Sequence, residues 1–185
     1  VLAVHPSVPA KSVRELVDLL KSRPDEFSYA SGGVGASQHL AAELVGRFEL
    51  NGRRALPAIS LTTDNAIITA WANDISFDDV FARQVDALGQ RGDVLICFST
   101  SGMSVNCINA LKKAQEREMV CIVIAGKGGG EMAQYAHVNL VVPSSNTQRI
   151  QELHLHILHT LCSLVEQKLF RTNGYQLSNG HARQN

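Results

Sequence analysis

Neither sign of charge is in excess in this chain, whose 185 residues carry 17 Lys and Arg against 17 Asp and Glu. Such a balance builds no positive field, so nucleic acid and anionic membrane surfaces are not expected as partners. Long hydrophobic runs are missing as well. No apolar stretch approaches the roughly 18 residues of a membrane-spanning helix, and the opening VLAVHPSVPAKS has no basic segment ahead of an apolar one. Paired cysteine motifs are also absent. Cys97, Cys107, Cys121 and Cys162 form no CxxC and lie in or beside apolar segments, which reads as reduced packing thiols in a cytoplasmic chain rather than disulfides or a thiolate metal site. Aromatic residues are scarce, and Trp71, the single tryptophan, sits in an apolar helical run. A core position is expected for it rather than a sugar-stacking platform. What is present in quantity is apolar material: 45% of the residues are hydrophobic, enough for the core of one domain.

The pattern of that apolar material alternates between two periods. SVRELVDLLKSR opens with Ser12 and Glu15 in capping-box register and predicts a helix that Pro24 ends. FSYAS follows as a strand candidate, then a glycine turn, then a helical pattern from about Ser37 to Phe48. PAISL, DVLICFS, VCIVIAG and VNLVVP are short apolar runs without clean alternation, as expected of parallel strands covered on both faces. Helical segments separate them, and residues 147–170 predict a long closing helix. The last stretch, RTNGYQLSNGHARQN, has few apolar anchors and reads as a mobile tail over 171–185. Strands alternating with helices imply an α/β fold with right-handed crossovers, ligands gathering at the carboxyl ends of the strands.

Three constellations carry chemistry. In STSGMS, directly after the strand DVLICF, the hydroxyls of Ser99, Thr100, Ser101 and Ser104 surround Gly102 ahead of a helix. Unpaired N–H groups and the positive end of a helix suit a phosphate monoester there, although the lysine of a P-loop is lacking. The plain alternative is a serine-rich helix cap. His39 and Glu43 stand four residues apart on one helix face, placed to share a metal or flank a substrate, or simply to pair with each other. IQELHLHILH adds Gln151, Glu152 and His159, with His154 and His156 pointing elsewhere as surface or packing residues. Gln151 and His159 would be about 12 Å apart along an unbroken helix. For both to serve one site, the helix must start late or two subunits must contribute. Asn73 and Asp74 read first as a turn and helix-capping signal.

Together QHLAAELVGRFE, LPAISLTTDNAIITAWAND, GDVLICFSTSGMS, GKGGGEMA and RIQELHLHILHTLCSLVEQKLF resemble the sugar isomerase (SIS) domain family, nearest its phosphoheptose isomerase branch, over about residues 38–170. The resemblance implies a doubly wound, flavodoxin-like parallel sheet of about five strands with helices on both faces. It implies a phosphate loop at Ser99, Thr100, Ser101 and Ser104, substrate contacts at Asn73, Asp74 and Gln151, and an acid/base pair of Glu43 and His159. His39, Glu43, Gln151 and His159 match the zinc ligands of some members, which are tetramers with sites at subunit interfaces. The implied reaction interconverts sedoheptulose 7-phosphate and glycero-manno-heptose 7-phosphate through an enediol, with a homo-oligomer as the working form. Met103 departs from the Asn or Lys frequent in that loop.

The front of the chain resembles something else. Residues 1–44 look like a segment of the Bug-type receptors of tripartite tricarboxylate uptake systems, whose glycine turn, here SGGVGASQH, offers main-chain donors to a carboxylate. In the isomerases a Gly-Asn-Gly-Gly-Ser turn occupies this place. Gly33 stands where the family has serine, so Ser31 and the main-chain N–H groups from Gly32 and Gly33 to Gly35 are the expected substitutes for one sugar-phosphate contact. The two likenesses overlap on QHLAAEL, as a chimera joined in that string would. One SIS-like domain is expected over 1–170, receptor-like to residue 38 and isomerase-like from 39. Its function is either an isomerase with a replaced front segment, a non-catalytic sugar-phosphate-binding or docking module, or a recombined chain without selected activity.

Overall fold

The computed structural model describes residues 34–170, which lie in one compact unit. The strand candidate FSYAS, the helix expected after Ser12, the substitute donors Ser31, Gly32 and Gly33, and the tail lie outside the described residues. Helix α1 is Val34–Val45, α2 is Asn65–Asp74 and α3 is Val80–Leu88, with a 3-10 turn at Phe77–Asp79 between the last two. Strand β1 (Val94–Ser99), helix α4 (Val105–Glu116) and strand β2 (Val120–Ala125) follow. A 3-10 segment at Glu131–Tyr135 leads to β3 (Val138–Val141), and α5, Thr147–Phe170, closes the described chain at the expected boundaries.

The sheet is parallel, in the order β1-β2-β3, with Val94 opposite Val120 and Ile122 opposite Val138. Side chains on one strand alternate between faces, so each face of β1 and β2 needs its own cover. On one side Cys97, Cys121, Val123 and Ala125 pack with Val85 of α3 and Ile108, Leu111 and Ala114 of α4. On the other, Ile96 and Phe98 pack with Leu40 of α1 and Leu158 and Cys162 of α5. Burial on both faces explains the unbroken apolar runs, and it puts α1 and α5 together on one side of the sheet. Close approach is needed where α5 begins: a Cβ at Gly126 would lie 2.3 Å from the side chain of Ile150.

PAISL departs from expectation and forms no strand. Residues 57–62 instead line, together with residues 94–98 of β1, a cavity of about 800 Å³. Pro57 brings no N–H to a ladder. Three strands are therefore seen among the described residues, against an expectation of about five.

Polar atoms fix the turn after α1. Glu166 of α5, 1% exposed, accepts hydrogen bonds from the main-chain N–H groups of Phe48 (2.9 Å), Glu49 (2.8 Å) and Leu50 (2.8 Å), and a charged one from Arg53. Arg53 in turn donates to the carbonyls of Leu44 (3.0 Å) and Glu43 (2.6 Å), where a cation suits the negative end of a helix. Burial pushes the Glu166 carboxyl up, but Arg53 and the three N–H groups outweigh it and hold the group below its ordinary value.

Candidate active site

Helices α1 and α5 cross where their shared apolar stripe, Leu40 against Leu158 and Cys162, forces them together. Directly beside that stripe, next to Leu40 and Leu158, their polar residues meet. His39 Nε2 lies 3.2 Å from Glu43 Oε1 on its own helix and 3.1 Å from His159 Nε2 across the interface. The two imidazole rings meet edge to face at 5.0 Å, and Phe48 stacks on His159 at 5.6 Å with the rings 23° apart. Phe48 is itself held by Glu166 through its N–H, so the buried ion pair sets the ring that sets His159.

Only one hydrogen fits between two ring nitrogens. A proton on His39 Nε2 can be shared between the Glu43 carboxylate and the free lone pair of His159 Nε2, which makes the three groups a contiguous proton-exchanging set. The set is open to a ligand: the side chains of His39 and Glu43 are 40% and 27% exposed.

Gln151 does not join them. α5 runs unbroken from Thr147, so the late start that would shorten the separation does not occur, and Gln151 stands about 12 Å along the axis from His159. Glu152 pairs with Arg149 on the exposed face. His154 is buried against Phe98, its Nε2 without a partner, and His156 is exposed. Two imidazole nitrogens and a carboxylate are the donor types zinc takes. In number one chain falls short, because among the described residues no three His, Cys, Asp or Glu side chains are grouped to hold a metal.

The hydroxyl loop is built at the carboxyl end of β1. Ser99 Oγ accepts from the N–H of Gly102 (3.1 Å) and pairs with Ser104 Oγ (3.0 Å), while Ser101 Oγ accepts from the N–H of Met103 (3.2 Å). Ser104 occupies the capping position of α4 but makes no side-chain cap. Its hydroxyl is turned to Ser99, so the plain cap reading does not describe it. Gly102 has φ +66°, and a Cβ there would meet the carbonyl oxygen of Gly129 at 1.9 Å. The GKGGG turn is thus the wall against which the loop is pressed, and Met132 N–H donates to Gly102 O at 2.9 Å.

Asn73 and Asp74 correct the capping expectation. They are the last residues of α2, bonded to each other at 2.8 Å, and the following turn is capped by Ser76, which accepts from the N–H of Asp78. Trp71 is not core either, for α2 buries none of its residues and the indole lies beneath the Arg83 guanidinium at 4.8 Å. Cys107 is half-buried on the cavity wall rather than sealed in the core.

A second hydroxyl group was not foreseen. Ser60 Oγ donates to Ser37 Oγ (3.0 Å) and lies 2.9 Å from Thr62 Oγ1, placing three hydroxyls on the cavity wall that Ser104 also lines. Its one signal in the sequence is the run SLTT directly after an apolar segment. The cavity takes Ser37, Leu40, Ala41 and Leu44 from α1, whereas His39 and Glu43 are not on its wall. The proton-exchanging set and the cavity thus use different faces of α1.

Known proteins resemble the chain in two ways. Residues 30–126 match the SIS domain family, and residues 1–50 match the tripartite tricarboxylate transporter family receptor, the two matches overlapping on 30–50. A phosphoheptose isomerase of Campylobacter jejuni subsp. jejuni is 48% identical over 159 residues, 85% of each chain. That of Aquifex aeolicus is 52% identical over 149 residues, 80% of this chain and 78% of the other. The solved phosphoheptose isomerase of Francisella tularensis superposes with a TM-score of 0.70 at 40% identity, covering 74% of this chain and 73% of the other. That of Neisseria gonorrhoeae gives 0.69 at 43% identity, covering 75% and 74%. With a parallel sheet covered on both faces, a hydroxyl loop at a strand end and these relatives, the chain belongs to the SIS domain family, beside its phosphoheptose isomerases.

Proposed function

We propose that the chain is an aldose–ketose isomerase that converts sedoheptulose 7-phosphate to glycero-manno-heptose 7-phosphate through an enediol. The observation that carries this reading is the contact of His39, Glu43 and His159 in a chain about half identical to named phosphoheptose isomerases. Glu43 takes the proton from the carbon beside the carbonyl and returns it to the neighbouring carbon. His159, oriented by Phe48, exchanges protons with the substrate oxygens, and His39 passes a proton between the two. The loop Ser99, Thr100, Ser101 and Ser104 takes the phosphate, a contact remote from the reacting carbons that supplies binding energy for positioning them. Asn73 and Asp74 contribute sugar contacts in the same reading.

Among the described residues of a single chain, His39, Glu43 and His159 are not grouped to hold a metal; in an assembly they would be the residues to hold zinc, which would supply Lewis-acid polarisation of the carbonyl. Gln151 enters such a site from a second copy of the chain, since its own is two turns from His159. A homo-oligomer has further support: α2 buries no residue, and Ile67, Ile75 and Phe77 in and after it are 41%, 62% and 57% exposed. The overlap of two family matches on 30–50 supports a chain joined from two sources.

The test is a coupled isomerase assay on the purified protein, with added zinc and with chelator. Turnover of sedoheptulose 7-phosphate in either arm carries the proposal. A second reading, a non-catalytic sugar-phosphate-binding module, draws on the separation of the histidine set from the cavity. It is selected by a raised melting temperature with the sugar phosphate and no turnover in any arm.

A further inference from the structure

Both ends of the proton-exchanging set are tied to one buried ion pair. Arg53, its side chain 0% exposed, donates through Nη2 to the carbonyl of Glu43 (2.6 Å) and through Nη1 to those of Leu44 and Arg54 (both 3.0 Å). Its partner Glu166 accepts the N–H of Phe48, whose ring stacks on His159. We propose that Arg53 and Glu166 are positioning residues for the isomerase site, holding Glu43 and His159 at a fixed mutual placement. The proposal rests on the reading of His39, Glu43 and His159 as the reacting groups.

A row on α5 forms one half of this frame. His159, Ser163 and Glu166 stand at i, i+4 and i+7, hence on one helix face. Each meets the chain after α1: His159 the ring of Phe48, Ser163 the carboxylate of Glu49 (3.0 Å), and Glu166 the N–H groups of Phe48, Glu49 and Leu50. Gln167 Nε2 donates to Ser163 Oγ (2.9 Å), which orients the hydroxyl toward Glu49. Residues 48–50 are thus strapped to α5 over about two helical turns.

Arg53 forms the other half, on α1. Glu43 and Leu44 lie in the last turn of that helix, where carbonyls lack intrahelical partners, and a planar guanidinium bonded to two of them fixes the turn's height and rotation. A displaced Arg53 therefore displaces Glu43 relative to His159. A buried ion pair adds little stability over apolar packing of the same volume, but its hydrogen bonds set directions that apolar contacts leave loose. Because the pair is buried, substrate meets Glu43 and His159 and not the pair itself.

The experiment compares Arg53→Lys, which keeps the charge and loses the fork, and Glu166→Gln, which keeps the shape and loses the charge, with Phe48→Leu, which keeps the pair and loses the stacked ring. Turnover of sedoheptulose 7-phosphate, measured well below each melting temperature, is expected to fall by about 10²-fold in kcat with KM within about twofold, since misplaced reacting groups slow the chemical step and leave phosphate binding alone. Phe48→Tyr, which restores a ring, is expected to recover most of the loss in Phe48→Leu. The second readout is the pair of His159 ring C–H signals in proton NMR, assigned by their loss in His159→Ala. Stacking on Phe48 shifts them upfield in the wild type; the shift is expected to shrink in both pair variants and to vanish in Phe48→Leu. An unchanged His159 shift in either pair variant that folds, or a lowered melting temperature with wild-type kcat, overturns the proposal. The spectrum needs no substrate, so a wild type that turns over no sugar counts against the isomerase reading while the His159 shift still decides the frame.

Discussion

His159 Nε2 lies 3.1 Å from His39 Nε2, joining two helices whose residues are 120 positions apart in the chain. Each ring is placed by packing across the interface rather than within its own helix. His39 is carried by the apolar contact of Leu40 with α5, and His159 by the contact of Leu158 with α1 and by the stacked ring of Phe48. An acid/base assignment for this pair is therefore a statement about how α1 packs on α5.

His159→Ala removes the proton-exchanging end of the set while leaving the Leu40–Leu158 contact in place. Turnover of sedoheptulose 7-phosphate is expected to fall by about 10²–10⁴-fold in kcat, with the far-UV circular dichroism unchanged. Wild-type turnover in this variant would remove His159 from the mechanism.

Glu166→Ala leaves Arg53 buried without its counter-charge and three main-chain N–H groups without an acceptor. A loss of about 3–5 kcal/mol of stability is expected from breaking such a pair, read as a lower midpoint in urea. Because the folded carboxyl titrates below its ordinary value, its contribution is complete above the usual glutamate range and is lost as pH falls through the depressed value. The variant should lack that acid-side component.

His154 gives a pH dependence nearer neutrality. Burial lowers its pKa against a main-chain hydrogen bond with Ala125 that raises it, and its Nε2 has no partner. Above the ordinary histidine value both folded and unfolded forms are neutral and nothing is lost. As pH falls below it, the unfolded chain takes up the proton first and stability declines. His154→Leu is expected to flatten the stability profile below about pH 6.5, and an identical slope in both proteins would contradict this.

Gly102→Ala tests the loop. A side chain at φ +66° with its Cβ against Gly129 O forces the hydroxyl loop off the glycine turn. Strain of about 1–3 kcal/mol is expected in the melting curve, together with weaker binding of sugar phosphate in calorimetry. Tight binding with normal melting would mean that the loop does not need this wall.

Much of the fold was legible because its signals are local. The unbroken apolar runs at 94–99 and 120–125 require cover on both faces, and residues 147–170 have the helical period throughout. PAISL carries the same local signal and still forms no strand, since a ladder depends on what runs beside it. Asn73 and Asp74 have the composition of a turn, yet α2 continues through them because the following Ser76 supplies the next cap.

By itself the sequence determined which groups are available: a hydroxyl loop after a buried strand, a His-Glu pair one helical turn apart, and a histidine on the closing helix. Those follow from chain periodicity and residue chemistry. Only the tertiary structure decided that His39 and His159 meet while Gln151 stays two turns away, and that Ser37, Ser60 and Thr62 join Ser104 on one cavity wall. Side-chain meetings across elements depend on how helices seat on the sheet, and that is set by packing of the whole core, which no local pattern specifies.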